Sequence, residues 1–259
     1  MRFGICCSPE SSSLMADFGY EFVEWPLSGT LANISEEEFQ NLEKSLEHLP
    51  VRPEAWNVML PASIKVVGPE ADFEALTQYL ERTFSKAARL GGEIIVFGSG
   101  KSRFKPDNWK TQHTREQLIK TCMIAGDTAQ KYGLRIAIEP LNRGETNTVN
   151  TTLEALDLAS LVNHPNVGVL ADLFHFDLEQ ESLQNLLAVG QTLLHVHVSA
   201  PKSRLAPNRD NSYSEMEAFF QTLHSIGYDH RISLECRLLE LQDAETALTY
   251  LRALWEETS

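Results

Sequence analysis

Short apolar runs alternate with longer amphipathic stretches along the whole chain. Period-two or continuous apolar runs mark strands, and apolar positions three and four apart mark helices. The strand-like runs are RFGICC (2–7), YEFVEWP (20–26), 54–60, GGEIIVFGSG (91–100), RIAIE (135–139), NVGVLAD (166–172), LLHVHVS (193–199) and RISLE (231–235). Helices are predicted between and after them: a short polar turn of helix at 11–18, then 35–48, 69–90, 114–132, 151–162, 178–189, 214–226 and 243–255. Start and stop signals agree with this reading. Ser35 is a sound N-cap, and Glu36, Glu37 and Glu38 favour the positive end of that helix dipole. Phe73, Leu76, Leu80 and Phe84 recur at helical spacing, and Gly133 supplies a left-handed stop. Eight strand-plus-helix units without a linker predict an α/β protein of one domain, residues 1–259, closed into a parallel (β/α)8 TIM barrel.

In such a barrel, reactive side chains collect at the carboxyl ends of the strands. RIAIE places Ile136 and Ile138 on one face, Ala137 and Glu139 on the other, and Pro140 then stops the ladder. The next three strands repeat the design. NVGVLAD ends at Asp172 with His175 three residues on, HVHV puts His195 and His197 on one face, and RISLE ends at Glu235. A lone glutamate at a strand tip is more often solvated than functional, and His195 reads as a satisfied inner-layer histidine. Four tips in register carry the inference. Packed carboxylates repel at low dielectric, so protons or a cation must relieve them. Hard oxygens with one borderline nitrogen suit a divalent ion, manganese first, with magnesium, cobalt, zinc or iron also compatible.

Composition narrows the partners. With 22 Lys+Arg against 36 Asp+Glu, the net charge is −14. That sign argues against nucleic acid or an anionic membrane as the main partner. The opening MRFGICCSPE lacks the apolar core of a signal peptide, and Cys6, Cys7, Cys122 and Cys236 follow no framework spacing. Reduced thiols and a cytoplasmic location are expected.

The stretches EPLNRGE, DLFH, HVHVS and SLEC resemble the metal-binding motifs of the xylose isomerase-like sugar isomerase/epimerase barrels. The pattern is most similar to that of ketose 3-epimerases of the D-tagatose/D-psicose type. The resemblance covers strands five to eight, and the first four through the barrel layout alone. It implies an isomerase that works through an enediolate on a ketose or related hydroxy-ketone. A divalent ion, usually manganese, would be held by Glu139, Asp172, His197 and Glu235, with Glu139 and Glu235 exchanging the substrate proton. Glu145 and His175 would contact substrate hydroxyls. The family places an arginine six residues after the histidine ligand; here 203 is serine and Arg204 comes one later, with Arg209 competing for the role. Barrels of this kind are commonly homodimers.

Rival readings use the same tips: dehydration of a keto-cyclitol, isomerisation of a short substrate such as hydroxypyruvate, or a barrel that binds sugar or metal without catalysis. A phosphodiester-cleaving barrel would need a histidine-rich cluster and a basic groove, and both are missing. GSGKS (98–102) has isoleucine at 95 where a phosphate-binding loop needs glycine, which removes nucleotide binding there. Lys101, Arg103 and Lys105 read as a solvated loop. Lys202, Arg204 and Arg209 follow strand seven, where many barrels hold phosphate, so a phosphorylated sugar stays open. Trp25 and Phe174 are candidates for the pocket wall or the core, and Glu24 is a candidate for orienting a ligand.

Overall fold

The computed structural model describes residues 1–208 and 213–259. Its strands are β1 (Arg2–Cys6), β2 (Phe22–Pro26), β3 (Pro53–Asn57), β4 (Ile94–Phe97), β5 (Arg135–Ile138), β6 (Val167–Asp172), β7 (Leu193–Val198) and β8 (Arg231–Leu234). They pair in sequence order, all parallel, and β8 returns to β1 to close the barrel. The helices are α1 (Ser12–Asp17), α2 (Leu27–Leu31), α3 (Glu36–Leu46), α4 (Phe73–Arg89), α5 (Thr111–Lys131), α6 (Thr152–Val162), α7 (Leu173–Leu178), α8 (Leu183–Val189), α9 (Ser214–Ser225) and α10 (Asp243–Glu257). No helix among the described residues is long and apolar enough to cross a membrane.

Side-chain alternation divides the apolar residues into two cores. Phe22, Ala55, Ile94, Val96, Ala137, Leu170 and Leu194 form a compact cluster of inward-facing residues. The opposite strand faces pack against the helices in a much larger layer. Gly4 belongs to the inner layer by necessity, because a Cβ there would lie 2.3 Å from Cε2 of Phe22. The apolar plug leaves polar residues to the layer above it.

The helix boundaries depart from the sequence expectation where side chains cap them. Asp72 accepts from the main-chain N–H of Glu74 and Ala75, both at 3.0 Å, so α4 begins at Phe73 rather than at 69. The helix expected at 178–189 begins only at Leu183, and a separate helix that was not anticipated precedes it. Asp172 accepts from Phe174 N at 2.7 Å and starts α7 directly after β6, and Gln180, at φ 53°, then turns the chain before α8. The short helix α2 behind Pro26 was not anticipated.

At the amino-terminal end of the barrel, Glu54 on β3 accepts from Arg2 Nη1 and Nη2, each at 2.6 Å, and from Arg231 Nε at 2.7 Å. Conservative surgery here tests stability rather than activity. Burial opposes ionisation of Glu54, but Arg2 and Arg231 outweigh it and hold the carboxyl below its ordinary range. Its contribution is therefore complete above the ordinary carboxylate range and disappears as pH falls through the lowered folded value. Glu54→Gln is expected to cost about 1–3 kcal/mol at neutral pH, the worth of hydrogen bonds to a charged group. Denaturant titrations should show the gap between the two proteins closing in acid. A gap that stays constant down to about pH 2 would disprove the linkage.

Candidate active site

Four consecutive strand ends deliver one cluster. Glu139 follows β5, Asp172 ends β6, His197 lies near the end of β7, and Glu235 follows β8. Glu139, Asp172 and His197 are buried and Glu235 is partly open. Each offers an atom, and these all lie within 4.8 Å of one another. His197 Nδ1 is 3.5 Å from Glu139 Oε1 and 3.5 Å from Glu235 Oε2. Gly98, at the tip of the neighbouring β4, makes room for this, since a Cβ there would meet Glu139 Oε2 at 2.1 Å.

The other edge of the His197 ring faces the barrel interior. Its Nε2 is 2.9 Å from Glu24 Oε1, while His195 Nε2 is 2.7 Å from Glu24 Oε2 and Ser233 Oγ donates to that oxygen at 2.6 Å. Burial would push the Glu24 carboxyl up, but His197 and His195 together hold it well below the usual range. A fully buried carboxylate of this kind acts as acceptor only. His197 Nε2 is thereby assigned as the donor to Glu24, which turns Nδ1 toward Glu139 and Glu235.

That cluster has a gap in its bonding. Among the described residues, the buried atoms Asp172 Oδ2, His175 Nε2 and His197 Nδ1 have no hydrogen-bond partner. Burial raises the Asp172 carboxyl to about 6, with Glu235 and Glu139 adding to the rise against His175 and His197. For His197, burial opposes protonation, yet Glu24, Glu235 and Glu139 draw the ring well above the ordinary imidazole range. Such a site demands positive charge at its centre. Three carboxylates and one imidazole nitrogen form a donor set that fits a divalent ion.

The residues expected to meet substrate lie around this centre. Arg204 Nη2 donates to Glu235 Oε2 at 2.5 Å and Nη1 to Glu145 Oε1 at 3.3 Å, with the guanidinium 5.0 Å from the centre of the Phe174 ring. Burial opposes ionisation of Glu235, but His197 and then Arg204 hold it below the usual carboxylate range. His175 stands 3.7 Å from Asp172, and its Nδ1 accepts from Asn142 N at 3.2 Å. Asn57, at the tip of β3, reaches Glu235 Oε1 at 3.4 Å and was not anticipated. Arg209 lies outside the described residues.

One expectation is corrected, and the choice left open for Trp25 falls to the core. The run Lys101, Arg103, Lys105 is not wholly a solvated loop, because Arg103 is 0 % exposed. Trp25 is core: it is fully buried, edge-on to Trp56, and bonds Ser12 Oγ through Nε1 at 2.9 Å. The inner network was legible only in part. A glutamate on β2 suited to orienting a ligand and two histidines on one face of β7 were visible, but not that the strands meet across the barrel.

A family model described as a xylose isomerase-like TIM barrel matches residues 13–254. A probable ketose 3-epimerase of Synechocystis is 30% identical over 198 residues, covering 73% of this chain and 65% of the relative. An L-ribulose 3-epimerase of Methylomonas is 28% identical over 151 residues, 57% of this chain and 52% of the relative. An inosose isomerase of Bacillus licheniformis is 32% identical over 120 residues, 42% of each chain. These alignments thus span less than two thirds of the relatives' own length. A D-psicose 3-epimerase solved in the presence of D-fructose superposes with a TM-score of 0.85 at 19% identity, over 98% of this chain and 99% of that one. The IolI protein with a zinc atom gives a TM-score of 0.76 at 18% identity, over 100% and 99%. At these identities the structural likeness speaks for the fold. With the family model spanning nearly the whole barrel, this chain belongs to the xylose isomerase-like TIM-barrel family.

Proposed function

We propose that this protein is a divalent-metal-dependent epimerase or isomerase of a ketose or related hydroxy-ketone. The observation that carries the reading is the pair of carboxylates, Glu139 and Glu235, each 3.5 Å from the same imidazole nitrogen. Glu139, Asp172, His197 and Glu235 would hold the ion, with manganese the first choice; the zinc atom in the related IolI barrel is in keeping with a divalent site. A bound divalent cation would polarise the substrate carbonyl and balance the charge that develops when a neighbouring C–H is lost.

The remaining work falls to side chains. Removing a proton beside a carbonyl and returning it to the opposite face needs a base and an acid on two sides of one carbon. Glu139 and Glu235 come from non-adjacent strands and fill those two roles. Arg204, anchored on Glu235 and Glu145, and His175, fixed by Asn142, are placed to orient hydroxyl groups. Charge pairing among the described residues supports an unphosphorylated substrate: Arg204 pairs with two glutamates and Lys202 with Glu215 at 3.3 Å. We therefore read the substrate as an uncharged sugar.

The test is proton exchange. With Mn2+, a panel of ketoses, a keto-cyclitol and hydroxypyruvate is incubated in heavy water and followed by NMR. Deuterium is expected beside the carbonyl of at least one ketose together with its epimer or aldose, and chelation should abolish both. A protein that binds Mn2+ and exchanges nothing in the panel would be a binding barrel, and the enzymatic reading would fail.

A further inference from the structure

Arg103 lies in the loop after β4 and is fully buried. Its guanidinium meets main-chain carbonyls rather than a carboxylate: Nη2 donates to Glu139 O at 2.6 Å and Nη1 to Phe97 O at 3.2 Å, while Nε has no partner. The loop beneath it is anchored on three sides. Ser102 Oγ donates to Pro61 O at 2.9 Å, Val66 N to Ser102 O at 2.9 Å, and Thr148 Oγ1 to Arg103 O at 2.9 Å.

The two carbonyls mark the place where β4 and β5 part. Glu139 N still donates to Phe97 O at 3.3 Å, but Pro140 has no N–H and the ladder ends. Arg103 takes over at that point and ties both strand tips together. A neutral amide would donate to two carbonyls at far lower desolvation cost, so the charge needs its own reason. A guanidinium keeps its charge inside a protein, so Arg103 places a buried positive charge against the Glu139 backbone.

We propose that Arg103 is a positioning residue for Glu139, fixing where that residue leaves the sheet and setting a buried positive charge beside it, so that the grip of Glu139 on a divalent cation depends on Arg103. This rests on the reading of Glu139 as a metal ligand, and the test therefore measures Mn2+ binding and folding instead of turnover.

Arg103→Met is expected to keep the parent's circular dichroism and to bind Mn2+ about 10- to 100-fold more weakly, the usual cost of losing a group that orients a ligand. Arg103→Lys keeps the charge but not the planar fork, and should fall between the two. In a Glu139→Gln background, Arg103→Met should cost little more, whereas in an Asp172→Asn background it should cost its full factor. A general loosening of the barrel would weaken binding equally in both. The proposal is overturned by Mn2+ affinity within about twofold of the parent, by equal costs in the two backgrounds, or by loss of fold in both Arg103 variants. A parent that binds Mn2+ but exchanges no ketose proton would remove the enzymatic reading and leave this one standing.

Discussion

A Glu235→Gln protein is expected to fold like the parent and to interconvert epimers about 10²- to 10⁴-fold more slowly. Glutamine keeps the volume and one oxygen for Arg204, which now donates to Glu235 Oε2 at 2.5 Å, but an amide cannot accept the substrate proton. Some loss of Mn2+ affinity should accompany this, because one of the three carboxylates around His197 is gone. The informative measurement is directional exchange. With Glu139 intact, hydrogen should still wash out of the epimer that presents it to Glu139, without inversion, and Glu139→Gln should show the mirror image. Turnover of Glu235→Gln within about twofold of the parent would eliminate Glu235 as acid or base.

Glu24→Gln is expected to weaken Mn2+ binding by about 10- to 100-fold, although Glu24 is not among the four proposed ligands. Its carboxylate accepts hydrogen bonds from His195, His197 and Ser233 at 2.6–2.9 Å. A glutamine offers one acceptor oxygen and turns an NH2 toward a ring nitrogen that was donating. The His197 ring is then free to move its proton to Nδ1, the atom that faces Glu139 and Glu235. Nitrogen chemical shifts of His197 would report the tautomer, and calorimetry the affinity. An unchanged dissociation constant in a folded protein would show that the inner glutamate does not set the ligand's orientation.

The barrel and its polar tips could be read from the sequence because both depend on local alternation. Glu139, Asp172, His197 and Glu235 each declared a face within their own strand, and eight repeats of strand and helix fixed the closure. Arg204 was uncertain because the count after His197 is offset by one. The loop absorbs the extra residue with Lys202 at φ 64° and Arg204 at φ 54°, and the guanidinium still reaches Glu235. Arg103 was misread because charge and neighbours made it look solvated; what buries it is an anchored loop formed by residues far apart in sequence. Glu24 shows the same limit, since its partners lie across the barrel. The unanticipated helix α7 follows from Asp172 serving as a helix cap as well as a strand tip.

The inner glutamate also dictates when the centre can come into being. Glu24 meets His195, His197 and Ser233 at separations of 171, 173 and 209 residues. Contacts so remote pay their full loop-closure entropy before returning any enthalpy. A half-built sheet ending at β6 holds Glu24, Glu139 and Asp172 but neither the imidazole of His197 nor Glu235. On the proposed metal reading, cation capture would come last on the folding route, so added Mn2+ is expected to slow unfolding while leaving the rate of refolding unaltered.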